Sequence, residues 1–190
     1  APPGSGKTIV GLKIIADKKQ PALIITHRKQ IADQWIERIE TFLGIPKNEI
    51  GKIGQGKTKI GKQITVAMIQ SLSKELEKPD TGKILNAFGT IIVDECHHIP
   101  AETFRNAISK LQTFYLYGLT ATPFRKYNDS KLIFIHLGEV IAEIKSNEIS
   151  TSKRPKIIIR NTELDVPFNS KTDKFETLSK ILVHDSSRNK

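Results

Sequence analysis

The sequence has a single cysteine among its 190 residues, so no disulfide bond can form within the chain. A reducing, cytoplasmic setting is therefore expected. Apolar runs long enough to span a membrane are lacking, and so is a recognisable signal peptide. Apolar residues make up 38% of the chain and charged residues 26%. These proportions are typical of a globular domain and argue against a disordered chain.

Acidic residues are also scarce relative to basic ones. The chain has 20 Asp and Glu against 30 Lys and Arg, which gives a formal net charge of +10. Because opposite charges attract over long range, this surplus favours a polyanionic partner such as nucleic acid. A solvated, lysine-rich surface is the alternative, and charge alone supports the two equally.

Helix and strand patterns alternate along the chain. The alternation predicts an α/β fold with a mostly parallel central sheet and helices on both faces. The predicted helices span residues 7–19, 31–43, 100–111 and, near the end, about 175–182, with a further helix after residue 71. The predicted strands span residues 22–26, 63–69, 90–93, 114–119, 139–144 and 156–160. Residues 131–137 fit a helix or a strand equally, and the glycine-rich stretch 51–61 predicts turns around a short strand.

The first stretch that carries chemistry opens the chain. Gly4-Ser5-Gly6-Lys7-Thr8 matches the phosphate-binding pattern G-x-x-x-x-G-K-T, with Ala1 in place of the first glycine. The glycines let backbone N–H groups face a phosphate, and the following helix adds its positive end. Lys7 would contact the β- and γ-phosphates, and the Thr8 hydroxyl would bind Mg²⁺. A glycine-rich turn without a ligand is the alternative.

A strand should precede such a loop, and none precedes Ala1. We therefore expect the chain to be part of a longer protein.

The second stretch is an acid pair, Asp94-Glu95, directly after the aliphatic strand predicted at residues 90–93. Ligands of an open α/β sheet gather at the carboxyl ends of its strands. Two acids there are costly unless a cation or a water needs them. We expect Asp94 to help hold Mg²⁺ and Glu95 to polarise an attacking water. A capping or surface acid pair is the alternative, and the phosphate loop counts against it.

Cys96, His97 and His98 follow the acid pair and raise the question of zinc. Zinc usually needs four ligands, and the chain offers no second cysteine or paired motif. No triad-like context marks Cys96 as a nucleophile either. Neither role is expected.

The third stretch is Thr120-Ala121-Thr122, at the end of the strand predicted at residues 114–119. Its hydroxyl groups can bond a neighbouring carboxylate or histidine. A turn with buried threonines is the alternative, and the local sequence does not separate the two.

In this order and form, the three stretches resemble motifs of superfamily 2 helicases. The loop resembles their first motif, Asp94-Glu95-Cys96-His97 resembles a variant of the DEAD/DEAH box, and Thr120-Ala121-Thr122 resembles their Ser/Thr-Ala-Thr motif. Thr26-His27-Arg28, followed by Gln34-Trp35, and Ile69-Gln70-Ser71-Leu72 resemble segments that touch the nucleic-acid backbone. Three features resemble the subgroup that contains restriction-enzyme motor subunits and a DNA-repair helicase. They are the His-Arg pair, the Gln-Trp pair and the segment Thr-Ala-Thr-Pro-Phe-Arg at 120–125.

The resemblance implies a RecA-like ATP-binding domain at residues 1–145, without its first strand. It implies a linker and the start of a second motor domain at 146–190. ATP and Mg²⁺ are the implied cofactors, with Mg²⁺ held by Thr8 and Asp94. The implied catalytic residues are Lys7, Asp94 and Glu95.

Two further sets of residues take their roles from the resemblance. The residues that would couple phosphate loss to movement are His97, Thr120 and Thr122. The residues that would contact the nucleic-acid backbone are His27, Arg28, Gln70 and Ser71. For this second set a solvated Arg28 and a helix-capping Ser71 are the bland alternatives.

The implied activity is ATP-driven translocation along nucleic acid, or its opening, with DNA favoured over RNA. The second motor domain of the family supplies arginine fingers, so residues 1–190 alone are expected to hydrolyse ATP very weakly. Nuclease or specificity subunits are further candidate partners, and no membrane is expected. Two other classes stay open: a phosphate-loop NTPase that ignores nucleic acid, and a basic nucleic-acid-binding module without catalysis.

Overall fold

The computed structural model describes residues 6–98, 102–121 and 129–144. The chain divides into two units, Ala1–Ser150 and Thr151–Lys190, and every described residue lies in the first. The predicted linker, the strand at 156–160 and the final helix therefore lie outside the described residues.

Helices and strands alternate in the described part of the chain. The helices are α1 (Lys7–Lys18), α2 (Lys29–Leu43), α3 (Ile69–Leu76), α4 (Gly82–Leu85), α5 (Glu102–Lys110) and α6 (Asp129–Leu137). The strands are β1 (Ala22–Thr26), β2 (Gly51–Gly54), β3 (Lys57–Lys59), β4 (Ile64–Met68), β5 (Thr90–Asp94) and β6 (Tyr115–Leu119). They form one sheet in the order β3-β2-β4-β1-β5-β6, parallel throughout except between β2 and β3. The predicted α/β class is confirmed.

The central strands β1 and β5 are buried along their full length, which accounts for their aliphatic sequences. Successive side chains point to opposite faces of a sheet. Leu23 and Ile25 accordingly pack with residues of α3, α4, α5 and α6, whereas Ile24 and Ile92 pack with residues of α1 and α2. Helices thus cover both faces, and the alternation directs Asp94 toward the face of α1 and α2.

The glycine-rich stretch forms a hairpin, because β2 and β3 pair antiparallel. Gln55 and Gly56 connect the strands with φ of 55° and 73°. Two successive positive φ values give the turn a twist that suits a two-residue hairpin loop. The sequence predicted the turns and one short strand here, but not the second strand.

One prediction in the described region is wrong, and so is the alternative role given to Ser71. Residues 139–144 form no strand, and Val140 and Ile141 are exposed. Alternating apolar residues make a strand only where a neighbour supplies hydrogen bonds, and none of the described strands pairs with this segment. Ser71 does not cap α3, because that helix begins at Ile69 and Ser71 lies inside its first turn. The undecided run at 131–137 is helical, within α6.

Among the described residues, no helix is both long enough and apolar enough to cross a membrane.

The packing of the hairpin base gives a test of the fold. A Cβ on Gly51 would lie 2.2 Å from the backbone nitrogen of Gly61 and 2.7 Å from the Lys59 carbonyl oxygen. Because backbone cannot move aside cheaply, we expect Gly51→Ala to lower the free energy of unfolding by about 2 kcal/mol. The measurement is chemical denaturation of both proteins.

Gly82→Ala is the matched control, since a Cβ on Gly82 in α4 would meet nothing within 4 Å. That variant should keep or slightly raise stability. Equal stability of the two variants would contradict the close approach at Gly51.

Candidate functional site

The residues predicted to carry chemistry lie at the carboxyl ends of four neighbouring strands. Because the strands run parallel, these ends share one edge of the sheet. In sheet order the edge carries Gln70 and Ser71 after β4, His27 and Arg28 after β1, Asp94 and Glu95 at β5, and Thr120 after β6. Gly4, Ser5 and Thr122 lie outside the described residues.

Helix α1 brings Lys7 and Thr8 to the same edge. Its N-cap, Gly6, has φ 81°, a left-handed conformation that glycine adopts without strain. One turn into the helix, a Cβ on Gly11 would lie 3.1 Å from Leu119 Cδ1. Leu119 is the residue that pairs with Asp94 in the β5–β6 register. The start of α1 therefore lies over the ends of β5 and β6.

Asp94 is 8% exposed. Burial raises its pKa above the ordinary value, and the charge of Glu95 adds to this. A hydrogen bond from Trp35, the Glu95 backbone N–H and the charge of Lys7 all act to lower the pKa of Asp94. The influence of Lys7 means that the first helical residue and the end of β5 lie within electrostatic range.

Both oxygens of the Asp94 carboxylate are held by donors. The indole Nε1 of Trp35 donates to Oδ2 at 2.7 Å, and the Glu95 backbone N–H donates to Oδ1 at 2.9 Å. Trp35 is 1% exposed, although the sequence grouped it with a segment that touches nucleic acid. Trp35 lies on the buried face of α2, which faces the strand that ends in an acid. This position was the signal from which its burial could have been predicted.

Glu95 has φ 51°, an uncommon conformation for a residue with a side chain. Its Oε2 lies 3.1 Å from His97 Nδ1, which also lies 2.9 Å from Thr120 Oγ1. A carboxylate can only accept, so in the tautomer that bonds Glu95 the imidazole Nδ1 is the donor. The structure thus joins Glu95 to two of the predicted coupling residues.

Three imidazole rings connect this acid pair to the end of β1. The ring of His98 lies 4.3 Å from that of His27 and 4.4 Å from that of His97. Burial lowers the pKa of His27, helped by the charge of Arg28 and opposed by Glu95 and Asp94. His27 is therefore neutral at pH 7 and contacts its neighbours as an uncharged ring.

The four predicted backbone-contacting residues gather at the ends of β1 and β4. The Gln70 side-chain amide donates to the His27 carbonyl oxygen at 3.5 Å. Arg28 and Gln70 are exposed, whereas His27 and Ser71 are half-buried. Arg28 and Gln70 are thus the most accessible members of this group.

Cys96 belongs to the core beneath the site. Burial raises the pKa of its thiol to about 12. A Cβ on Gly118 would lie 2.8 Å from its sulfur, so β6 packs closely against it. In the described ranges, no group of three or more His, Cys, Asp or Glu is arranged to hold a metal ion.

The parallel sheet, the phosphate-loop helix and the acid pair at one edge define a RecA-like motor domain of the superfamily 2 helicases. The family model described as "Type III restriction enzyme, res subunit" matches residues 1–125, and the chain belongs to that family.

Known proteins are similar to this chain in sequence and in fold. The "DNA 3'-5' translocase XPB2" of Sulfurisphaera tokodaii is 30% identical over 181 residues, which cover 95% of this chain and 39% of that protein. The Hef helicase domain of Pyrococcus furiosus aligns with TM-score 0.61 and 21% identity, over 72% of this chain and 32% of that one. The SWI2/SNF2 ATPase core of Sulfolobus solfataricus, in complex with dsDNA, aligns with TM-score 0.57 and 20% identity, over 72% and 30%.

The chain spans only part of its relatives. It covers 39% of the Sulfurisphaera protein and 22% of a Haloarcula marismortui relative that is 31% identical over 142 residues. At about 20% identity the two solved structures show the fold alone.

The buried thiol gives a test of the site's interior. Because only the thiolate reacts, a pKa of about 12 against an ordinary 9.0 should slow alkylation of Cys96 about 10³-fold at mildly alkaline pH. The rate of maleimide labelling of the folded chain measures this, and the same chain in guanidinium chloride is the control. Equal rates in the two states would contradict the burial of Cys96.

Proposed function

We propose that this chain is the first motor domain of an ATP-driven nucleic-acid translocase or helicase. Lys7, Thr8, Asp94 and Glu95 form its ATP site in this proposal. The observation that carries it is the approach of the α1 start to the end of β5, since a Cβ on Gly11 would lie 3.1 Å from Leu119, the residue that pairs with Asp94. Gly4 and Ser5, in the same phosphate-binding pattern, would complete the loop.

The helix ends at this edge support anion binding. Helices α1, α2 and α3 all begin there, and none has a side-chain cap or an acidic residue in its first turn. Helix α5, in contrast, has Glu102 in its first turn. The positive end of a helix attracts anions. The start of α1 suits nucleotide phosphates, and the starts of α2 and α3 suit the phosphodiester backbone.

The residues present fit Mg²⁺. This ion prefers oxygen ligands and is usually held by one or two carboxylates together with substrate phosphates. Each Asp94 oxygen accepts one hydrogen bond, which leaves further lone pairs for a metal. Asp94 and the Thr8 hydroxyl would hold the ion, which would neutralise charge on the phosphates.

The remaining polar groups have distinct tasks in the proposed mechanism. Glu95 accepts a proton from the attacking water, and Lys7 stabilises charge on the γ-phosphate. His97 contacts both Glu95 and Thr120, so a change in the charge or position of Glu95 would be transmitted to the end of β6. The His98 ring contacts the rings of both His97 and His27. It thereby extends the chain of contacts to the end of β1, where the nucleic acid is proposed to bind. Thr122, two residues beyond Thr120, is proposed to act with it.

The activity of the whole protein is part of the same proposal. The net charge of +10 and the similarity to a DNA translocase support nucleic acid, with DNA favoured, as the track. Residues 146–190 would lead into a second motor domain, which would complete the ATP site. Hydrolysis by the 190 residues alone should then be very weak. Nuclease or specificity subunits and a cytoplasmic location complete the proposal.

Nucleotide binding tests the ATP site. Lys7→Ala should weaken MgATP binding about 10- to 100-fold, because hydrogen bonds between charged groups contribute about 1.5–3 kcal/mol. Isothermal titration with and without Mg²⁺ measures the affinity. Lys13→Ala is the matched control, since Lys13 lies on the same helix and its side chain is exposed. Unchanged binding by the Lys7 variant would remove the assigned site.

Salt dependence tests the nucleic-acid edge. If Arg28 contacts a phosphate, Arg28→Ala should reduce the slope of log affinity against log salt by about 0.9 for duplex DNA. Fluorescence anisotropy at several salt concentrations measures this slope. Arg38→Ala removes the same charge farther along α2, where Arg38 is also exposed, and should leave the slope nearly unchanged. Equal slopes for the two variants would contradict the placement of the nucleic-acid strand beside Arg28. If the chain does not bind nucleic acid at all, the proposed nucleic-acid contacts are wrong, whereas the proposed ATP site is unaffected.

A further inference from the structure

We propose that Trp35 is a positioning residue of the ATP site, whose indole N–H holds the Asp94 carboxylate in the orientation that receives Mg²⁺. The proposal rests on the proposed function, because it assigns a role within the same site. It adds a residue of α2 to a site otherwise built from α1, β5 and β6.

The first support is the geometry of the bond. The 2.7 Å distance from Trp35 Nε1 to Asp94 Oδ2 is short for an N–H···O bond, as expected when the acceptor is a carboxylate. The two residues are 1% and 8% exposed, so water does not compete strongly for the bond. An indole N–H only donates, so it fixes the carboxylate without occupying the lone pairs that a cation needs.

The second support is that two donors from different elements define the carboxylate plane. Trp35 on α2 holds Oδ2, and the backbone N–H of Glu95 in the turn after β5 holds Oδ1. With Oδ1 alone restrained, the carboxyl group could rotate about χ2, which is a soft torsion. Loss of the indole N–H would therefore free the orientation of the group while leaving it in place.

The third support is the position of the indole ring between elements. A Cβ on Gly11 would lie 2.7 Å from Cη2 of Trp35, so α1 and α2 meet with only a glycine hydrogen opposite the ring. Gly11 lies one turn after Lys7 and Thr8. The same ring therefore sets the spacing between the start of α1 and the carboxylate.

The ring has a packing role that any large apolar side chain could fill in part. The N–H has a separate role. A buried tryptophan N–H needs an acceptor, and a backbone carbonyl commonly meets that need. Here the acceptor is the carboxylate at the end of β5. Trp35 also lies about two turns into α2, the helix that begins beside Arg28. A displacement of α2 at the nucleic-acid edge would thus be transmitted to the Asp94 carboxylate.

The experiment uses the fact that Trp35 is the sole tryptophan of the chain. With ¹⁵N-labelled indole, the Nε1–H resonance should shift when Mg²⁺ is added to the ADP-bound chain, and the same Mg²⁺ added with excess EDTA should cause no shift. This arm needs no substitution. The proposal would be overturned if the Nε1–H resonance did not shift with Mg²⁺ while calorimetry showed Mg²⁺-dependent ADP binding.

A second arm removes the N–H and keeps the ring. Position 35 is replaced by 3-benzothienylalanine, which is isosteric with tryptophan but has sulfur in place of N–H, and by 7-azatryptophan, which keeps the N–H. The benzothienyl chain should lose about tenfold or more in Mg²⁺ affinity, as outer partners of metal ligands commonly do. Its affinity for ADP without metal should not change, and the azatryptophan chain should match the unsubstituted one. A purely structural role would instead lower both affinities, or neither, and either result would reject the proposal.

The outcomes also separate the two proposals. If the unsubstituted chain binds no Mg²⁺–nucleotide, the proposed ATP site fails, and the role of Trp35 fails with it. If the unsubstituted chain binds normally and the benzothienyl chain binds equally well, only the role of Trp35 fails.

Discussion

The structure is organised around a carboxylate that ends a fully buried strand. Desolvation makes the ionised form of Asp94 costly, and the raised pKa reflects this cost. The compensating groups come from three separate places: the indole of Trp35 on α2, the N–H of Glu95 in the following turn, and the charge of Lys7 on α1. A charge that needs all three constrains where two helices pack. The same residues of α1 and α2 therefore stabilise the charge at the sheet edge and determine how the two helices pack.

Electrostatic groups at the edge follow a consistent division. At the end of β5, Asp94 is buried and Glu95 is half-buried, and the proposed function places a cation beside them. Over β1 and β4 no acid follows the strands directly, and the helices begin without caps. The histidine rings lie between these regions and, with His27 neutral, separate them without adding charge at the β1 end. In the proposed function, this division lets one edge bind a metal–nucleotide and a polyanion side by side.

The sequence predicted what local patterning determines. Strands buried on both faces, such as residues 22–26 and 90–93, have aliphatic runs with few alternative interpretations, and the structure has them within one residue. The pattern failed where strand pairing decides: the strand Lys57–Lys59 depends on its hairpin partner, and residues 139–144 have the alternation but pair with none of the described strands. The phosphate loop and the acid pair were visible as motifs. The hydrogen bond from Trp35 to Asp94 and the left-handed backbone of Glu95 were not, because both depend on tertiary contacts.

The backbone of Glu95 has a consequence for how the domain could be made sturdier. A side-chain-bearing residue in the left-handed region costs about 1 kcal/mol or more, whereas glycine adopts it freely. A glycine at position 95 would therefore remove this backbone cost, but it would also remove the carboxylate that contacts His97. In the proposed function that carboxylate takes part in the chemistry, so the turn keeps a less stable backbone at a position where an acid is needed.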